Sequence, residues 1–258
     1  MTRLADARLT ARWATVGGVR MFARTGGPSR PGASPTVVMV HGQVISSLYM
    51  VPTARLLAQD FPVLAPDLPG FGWSGKPRAV LSVRGMADAL AGWMQAVELS
   101  SAALVAHSLG CQVAVDLAVR RPELVQRLVL AGPTMDPAAR RAWVMVARWV
   151  RDWPFERPSL GLAHLRDFAL AGPRRALLTF RHALADRIED KLPLIRVPTL
   201  VVRGERDPIA PQRWAEEAVG LLPQGRLAVI PRGPHCVNYG TPVAFAGVVR
   251  AFLTGATA

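Results

Sequence analysis

Ser108 stands where a serine hydroxyl can be made to react. The stretch Leu104-Val105-Ala106-His107-Ser108-Leu109-Gly110-Cys111 reads as the end of a buried strand, a sharp corner and the start of a helix. Ala102 to Ala106 are small or apolar, as in a central parallel strand. Leu109, Val113 and Leu117 then return at helical spacing, with Val115 and Ala118 beside them. Such a corner exposes the hydroxyl. It also aims the free N–H groups and the positive end of the helix dipole at any negative charge developing there. The segment is one residue away from the nucleophile-elbow pattern G-x-S-x-G, because Ala106 replaces the first glycine. A plain helix-capping serine is the competing reading.

A serine hydroxyl is a weak nucleophile at neutral pH. It needs a base within hydrogen-bond reach, and the base needs an orienting carboxylate. His235, in the loop Gly233-Pro234-His235, is the candidate base. Asp207, in Gly204-Glu205-Arg206-Asp207, is the candidate acid, with Glu205 and Asp136 as substitutes. Asp207 precedes Pro208 and could equally be a simple turn residue. Cys111 lies one helical turn beyond Ser108 and reads as packing, and Cys236 adjoins His235 without a second motif for thiol or metal chemistry. No metal and no cofactor is expected.

The elements that must carry these residues alternate between strand and helix. Strands are expected at 9–16 and 19–25 around the turn Gly17-Gly18, and then at 36–40, 63–65, 102–106, 128–130, 198–202 and 227–230. Helices are expected at about 50–59, 82–98, 109–120, 211–222 and 242–253. The result is a mostly parallel eight-stranded sheet flanked by helices. Ligands gather at the C-terminal ends of strands in such sheets, and His41, Asp67, Ser108, Asp207 and His235 all follow strands. Residues 134–190 hold no core strand. They are rich in Trp and Arg, are broken by Pro154, Pro158 and Pro173, and are too long for an ordinary loop. We read them as a helical lid inserted into one core domain made of 1–133 and 191–258. Trp143, Trp149 and Trp153 are its candidate pocket residues.

Composition narrows the function classes. The 258 residues fit one α/β domain, and half of them are hydrophobic. The formal charge is +13, and all but two of the 31 basic residues are arginines. They are scattered, with no basic run longer than two, whereas a nucleic-acid binder concentrates charge on one element or face. Nucleic acid is therefore not an expected partner, although a weak attraction to anionic surfaces stays open. No apolar run is long enough to span a bilayer. The start Met1-Thr2-Arg3-Leu4-Ala5-Asp6 lacks the pattern of a signal peptide. Two cysteines make no disulfide framework, so a cytoplasmic location with reduced thiols is expected.

Five motifs together resemble the α/β-hydrolase fold family across nearly the whole chain. They are His41-Gly42, Asp67-Leu68-Pro69-Gly70-Phe71-Gly72-Trp73-Ser74, Ala106-His107-Ser108-Leu109-Gly110, Gly204-Glu205-Arg206-Asp207 and Gly233-Pro234-His235. Each is weak alone, but they fall in order on successive strand ends. The resemblance implies Ser108 as nucleophile, His235 as base then acid, Asp207 as its partner, and an oxyanion hole from the N–H groups of Gln43 and Leu109. His41, Gly42, Asp67 and His107 read as the scaffold of the site, fixing the loops around it. Gln43-Val44-Ile45 replaces the glycine-rich run common at that point, which leaves the Gln43 side chain free to reach the site. The expected activity is hydrolysis of a carboxylic ester or related acyl bond in a small molecule with an apolar acyl or aryl group. Carbon–carbon hydrolysis of ring-cleavage products, or perhydrolysis, would use the same triad. A non-catalytic binding protein on the same scaffold is the alternative from another class.

Overall fold

A computed structural model describes residues 8–28 and 34–255. The chain start and part of the loop expected at 26–35 lie outside the described residues. The chain opens with a hairpin, β1 (Thr10–Val16) and β2 (Val19–Gly26). Both turn residues, Gly17 and Gly18, have positive φ, at 53° and 78°. Two successive positive-φ residues are what a tight hairpin requires, and glycine adopts them without strain. Then come β3 (Val37–Val40), α1 (Val51–Leu57), β4 (Val63–Pro66), α2 (Val83–Ala96), β5 (Ala102–His107), α3 (Leu109–Arg120) and β6 (Val125–Ala131). A helical segment follows, with α4 (Ala142–Asp152), α5 (Pro158–Ala171), α6 (Pro173–Ala185) and α7 (Ile188–Lys191). The chain returns to the sheet with β7 (Thr199–Gly204), α8 (Gln212–Leu221), β8 (Gly225–Ile230), α9 (Val237–Gly240) and α10 (Pro242–Thr254).

The eight strands form one sheet in the order β1-β2-β4-β3-β5-β6-β7-β8. β1 and β2 pair antiparallel, β2 meets β4 antiparallel, and the six strands from β4 to β8 run parallel. The parallel strands read as continuous apolar runs because both faces are covered. Alternation divides them between two cores. Val38, Val40, Leu104, Ala106, Leu128 and Leu130 face α2, α3 and α8, where Trp93 and Trp214 are fully buried. Val37, Met39, Ala103, Val105, Val129 and Ala131 face α1 and α10. This period of two fixes which strand residues point at each layer.

The helical starts follow local chemistry. Ser82 caps α2, its side chain accepting from the Gly85 N–H at 3.2 Å. The helix expected from residue 50 is preceded by a short 3-10 turn, Ser47–Met50, and begins at Val51 with Pro52 in its first turn. Between β6 and β7 every regular element among the described residues is helical. No helix among the described residues is long and apolar enough to cross a membrane.

Candidate active site

The corner after β5 is built by close approach. Ser108 has φ 55° and ψ −123°, an unfavourable conformation for a side chain. Its N–H is held by the Ala131 carbonyl at 2.9 Å, which ties the corner to the neighbouring strand. Gly110 lets α3 start directly against β3, since a Cβ there would lie 2.4 Å from the Val40 carbonyl oxygen. Ala106, by contrast, is an ordinary strand residue paired with Val40 and Leu130. Its methyl packs into the core, and no glycine is needed at that position. The Ser108 side chain makes no capping bond, which leaves the capping reading without support.

Asp207 is fixed before it meets the histidine. Its Oδ1 accepts from the N–H groups of Ile209 at 2.8 Å and Ala210 at 2.9 Å. Its Oδ2 faces Nδ1 of His235 at 2.9 Å. The buried Arg203 guanidinium donates to the carbonyls of Glu205, Asp207 and Ala210, holding the whole loop. Gly204 allows the His235 loop to lie against it, because a Cβ would fall 2.2 Å from the Pro234 carbonyl oxygen. Gly132, at φ 53°, leaves the space that the ring occupies, and a Cβ there would sit 2.8 Å from His235 Cε1. The substitute acids are engaged elsewhere. Asp136 is gripped by Arg148 at 2.9 Å and Arg213 at 2.5 Å, and Glu205 accepts from the Arg232 N–H.

A buried chain of hydrogen bonds joins the remaining loops. The Gly42 N–H donates to the Tyr49 hydroxyl at 2.8 Å, and that hydroxyl lies 2.7 Å from His107 Nδ1. His107 Nε2 lies 3.0 Å from the His235 carbonyl. Burial, and then the neighbouring His235, push His107 well below the usual histidine range. A neutral ring with Nδ1 accepting and Nε2–H donating satisfies every member of the chain. His41 accepts from the Leu68 N–H through Nε2 at 2.9 Å, and its Nδ1 lies 2.8 Å from the Gly42 carbonyl. Asp67 accepts from the N–H groups of Ser47 and Trp73. His41, His107 and Asp67 therefore hold loops together, and His107 also stands at the cavity wall beside Ser108.

Tyr49 uses up the Gly42 N–H. The Gln43 N–H has no protein acceptor among the described residues. Leu109 is the first residue of α3, so its N–H has no partner within the helix. The next residue, Val44, has φ 55°, a rare conformation for a β-branched side chain and a local strain beside the site. The Gln43 side chain points across to the helical segment, with Nε2 3.4 Å from the Ala176 carbonyl.

Ser108, His235 and Gln43 line one cavity of about 830 Å³ between the sheet and the helical segment. Its wall is largely apolar, with Trp149, Trp153, Leu160 and Phe168 contributed by α4 to α5. A large apolar cleft with a few convergent polar groups is the usual form of a small-molecule site. Trp143 departs from its expected place. It is 68% exposed and does not line the cavity, although Val146, one turn further along α4, does.

Two acidic residues were not anticipated. Asp152 Oδ1 accepts from the His235 N–H at 3.1 Å, and Glu156 Oε1 accepts from the Cys236 N–H at 2.6 Å. Carboxylates four apart in a segment otherwise dominated by arginine and tryptophan were the available signal. Burial raises Asp152 above the usual carboxylate range. Burial, followed by repulsion from Asp152, pushes Glu156 up to about 7. For His235, burial opposes the charged ring, but the Asp207 carboxylate outweighs it, with help from Asp152 and Glu156. The net effect lifts His235 to about 9.

Comparison with known proteins matches residues 37–248 to the family described as Alpha/beta hydrolase family. A relative from Pseudomonas syringae pv. syringae, RutD, named as a candidate carbamate hydrolase, is 28% identical, over 86% of this chain and 94% of its own. The solved structure of a bacterial membrane phospholipase A superposes with a TM-score of 0.82 at 24% identity, covering 98% of this chain and 87% of that one. A thermophilic esterase from Thermogutta terrifontis gives 0.81 at 22% identity, covering 95% and 98%. At these identities the two structures speak for the fold alone.

Proposed function

This chain belongs to the alpha/beta hydrolase family, and from that premise we propose that it is a serine hydrolase cleaving an ester or related acyl bond of an apolar substrate. The observation that carries the reading is the 2.9 Å contact of Asp207 Oδ2 with His235 Nδ1, at the wall of the cavity that Ser108 lines. Asp207 holds the ring so that Nδ1 carries the proton and Nε2 is free to act as base. Ser108 Oγ attacks the acyl carbonyl as His235 Nε2 takes its proton, and the Asp207 carboxylate stabilises the imidazolium. The N–H groups of Gln43 and Leu109 receive the oxyanion, each contributing about 3 kcal/mol to the transition state. His235 then protonates the leaving group. Water repeats the sequence on the acyl-enzyme and frees Ser108. The helical segment 134–190 serves as the lid, placing an apolar wall opposite the serine. The carbamate named for RutD is a related acyl bond that the same groups would attack.

A series of p-nitrophenyl esters tests the reading. Turnover is expected, with kcat/KM rising as the acyl chain lengthens into the apolar cavity, up to about threefold to fourfold per buried methylene. No turnover of any ester alongside turnover of a ring-cleavage dienoate would move the chain to carbon–carbon hydrolysis.

The pH profile follows from the same groups. Neutral His235 is the base, so kcat/KM should rise with pH through a midpoint above the ordinary 6.5, toward about 9. Asp152→Asn keeps an oxygen to accept from the His235 N–H but removes a charge that favours the imidazolium. The midpoint should therefore move to lower pH, as read from p-nitrophenyl butyrate hydrolysis across the alkaline range. An unmoved or raised midpoint would contradict that role for Asp152.

A further inference from the structure

The helical segment exposes apolar surface at the cavity mouth and beyond it. Ten of the fifteen large apolar side chains that the described residues leave exposed lie between 141 and 181. On α4, Trp143, Val146 and Val150 share one face, three or four residues apart, with Trp153 continuing it just beyond the helix. On α5, Leu162, Leu165 and Phe168 do the same, at 72%, 67% and 44% exposure. The apolar face is continuous with the cavity, since seven of the ten also line its wall, and Trp143, Val150 and Phe155 extend it beyond the mouth. Contiguous exposed apolar surface of this kind marks an interaction site rather than an ordinary surface.

Charge identifies the partner. The stretch 141–181 carries eight arginines against three carboxylates. All three carboxylates are turned inward: Asp152 and Glu156 to the histidine loop, and Asp167 to Ser46 Oγ at 2.6 Å. Arg141, Arg151, Arg157, Arg174 and Arg181 are exposed, and among the described residues none of their guanidinium groups has a hydrogen-bonded or ion-paired partner. On α6, Arg174 and Arg181 flank the exposed Leu177 one turn away on either side. An apolar face with flanking arginines suits an interface between anionic headgroups and acyl chains. A second copy of this chain is a poorer match, because a two-fold contact would set the same arginines against each other with no carboxylate to pair them.

We infer that the outer face of the segment 141–181 docks peripherally on an anionic lipid surface, bringing the cavity mouth against the lipid. Apolar substrate then passes from that surface to Ser108 without crossing water, a consequence that rests on the proposed hydrolase reading, whereas the docking itself does not.

The test is co-sedimentation of the full chain with phosphatidylcholine vesicles, with and without phosphatidylglycerol, at low and high salt. Binding is expected only where phosphatidylglycerol is present, and it should weaken with salt. Arg174→Ala/Arg181→Ala should lower the partition by roughly 25-fold, from about 1 kcal/mol per arginine near such a surface. Val150→Glu, which adds a negative charge on the apolar face, should lower it at least tenfold. None of these three residues lines the cavity, so turnover of short soluble esters should stay at the wild-type rate. Failure to bind, equal binding to both vesicle types, or variants that bind like the wild type would overturn the inference. So would a solution dimer that Val150→Glu dissociates. Loss of the hydrolase reading would show separately, as absent short-ester turnover in every form of the protein.

Discussion

Ser108→Ala is expected to lower p-nitrophenyl ester hydrolysis by a factor on the order of 10⁵ to 10⁶ while leaving the fold unchanged. The loss is large because the nucleophile cannot be replaced from within the cavity. Cys111 and Cys236 are both buried, and burial pushes their thiols well above the usual range, so neither supplies thiolate. The stability change should be small, within about 0.5 kcal/mol. The serine side chain caps nothing, and its backbone conformation is set by the Ser108 N–H bond to Ala131 and by Gly110 against β3. Alanine meets the same φ of 55° with the same Cβ. Thermal melts beside the rate assay check both halves. A variant retaining more than a few per cent of the rate would remove Ser108 from the nucleophile's role.

Asp207→Asn should cost about 10⁴ in kcat, also without unfolding the chain. The reason lies in what the other oxygen does. Asp207 Oδ1 accepts from two backbone N–H groups, those of Ile209 and Ala210. An asparagine keeps its carbonyl oxygen there, because turning the amide would set NH₂ against two donors. Its NH₂ must then face His235 Nδ1 and donate to it. The ring is driven to carry its proton on Nε2, where it cannot accept one from Ser108. His235 also loses its nearest carboxylate, so its pKa should fall. NMR of the imidazole nitrogens would show the tautomer change, and the rate assay the loss. A variant of near wild-type activity would place the orienting carboxylate elsewhere. Asp136 and Glu205 are poor replacements, since arginines hold the first and the Arg232 N–H the second.

What could be read in advance divides along physical lines. The parallel strands declared themselves because burial on both faces leaves no polar alternation. The helical nature of 134–190 was visible because no apolar run there is long enough for a core strand. The short turn Ser47–Met50 left no periodic signal, being four residues long. Ser108, Asp207 and His235 were visible as candidates because each sits in a Gly- or Pro-marked corner after a strand. Tyr49, Asp152, Glu156 and Arg203 were not, because each acquires its task from a residue distant in sequence or from backbone groups that only the folded loop presents. Tyr49 meets His107 across 58 positions, and Asp152 meets the His235 N–H across 83. Nothing in Gly132-Pro133 announces that the glycine makes room for an imidazole. The tryptophans show the limit of composition. Trp149 and Trp153 turn toward the cavity, while Trp143, on the same helix face as Val146, stays outside it. Amphipathicity alone does not separate a pocket wall from a docking face when both are apolar.

The central claim is that Ser108 is an activated nucleophile served by His235. Treatment with a fluorophosphonate, followed by peptide mass analysis, tests it most directly, since the reagent reports the nucleophile whatever the natural substrate is. One phosphonyl adduct per chain is expected, on Ser108. The adduct should form orders of magnitude more slowly in His235→Ala. No adduct, an adduct on another residue, or equal rates with and without the histidine would contradict it.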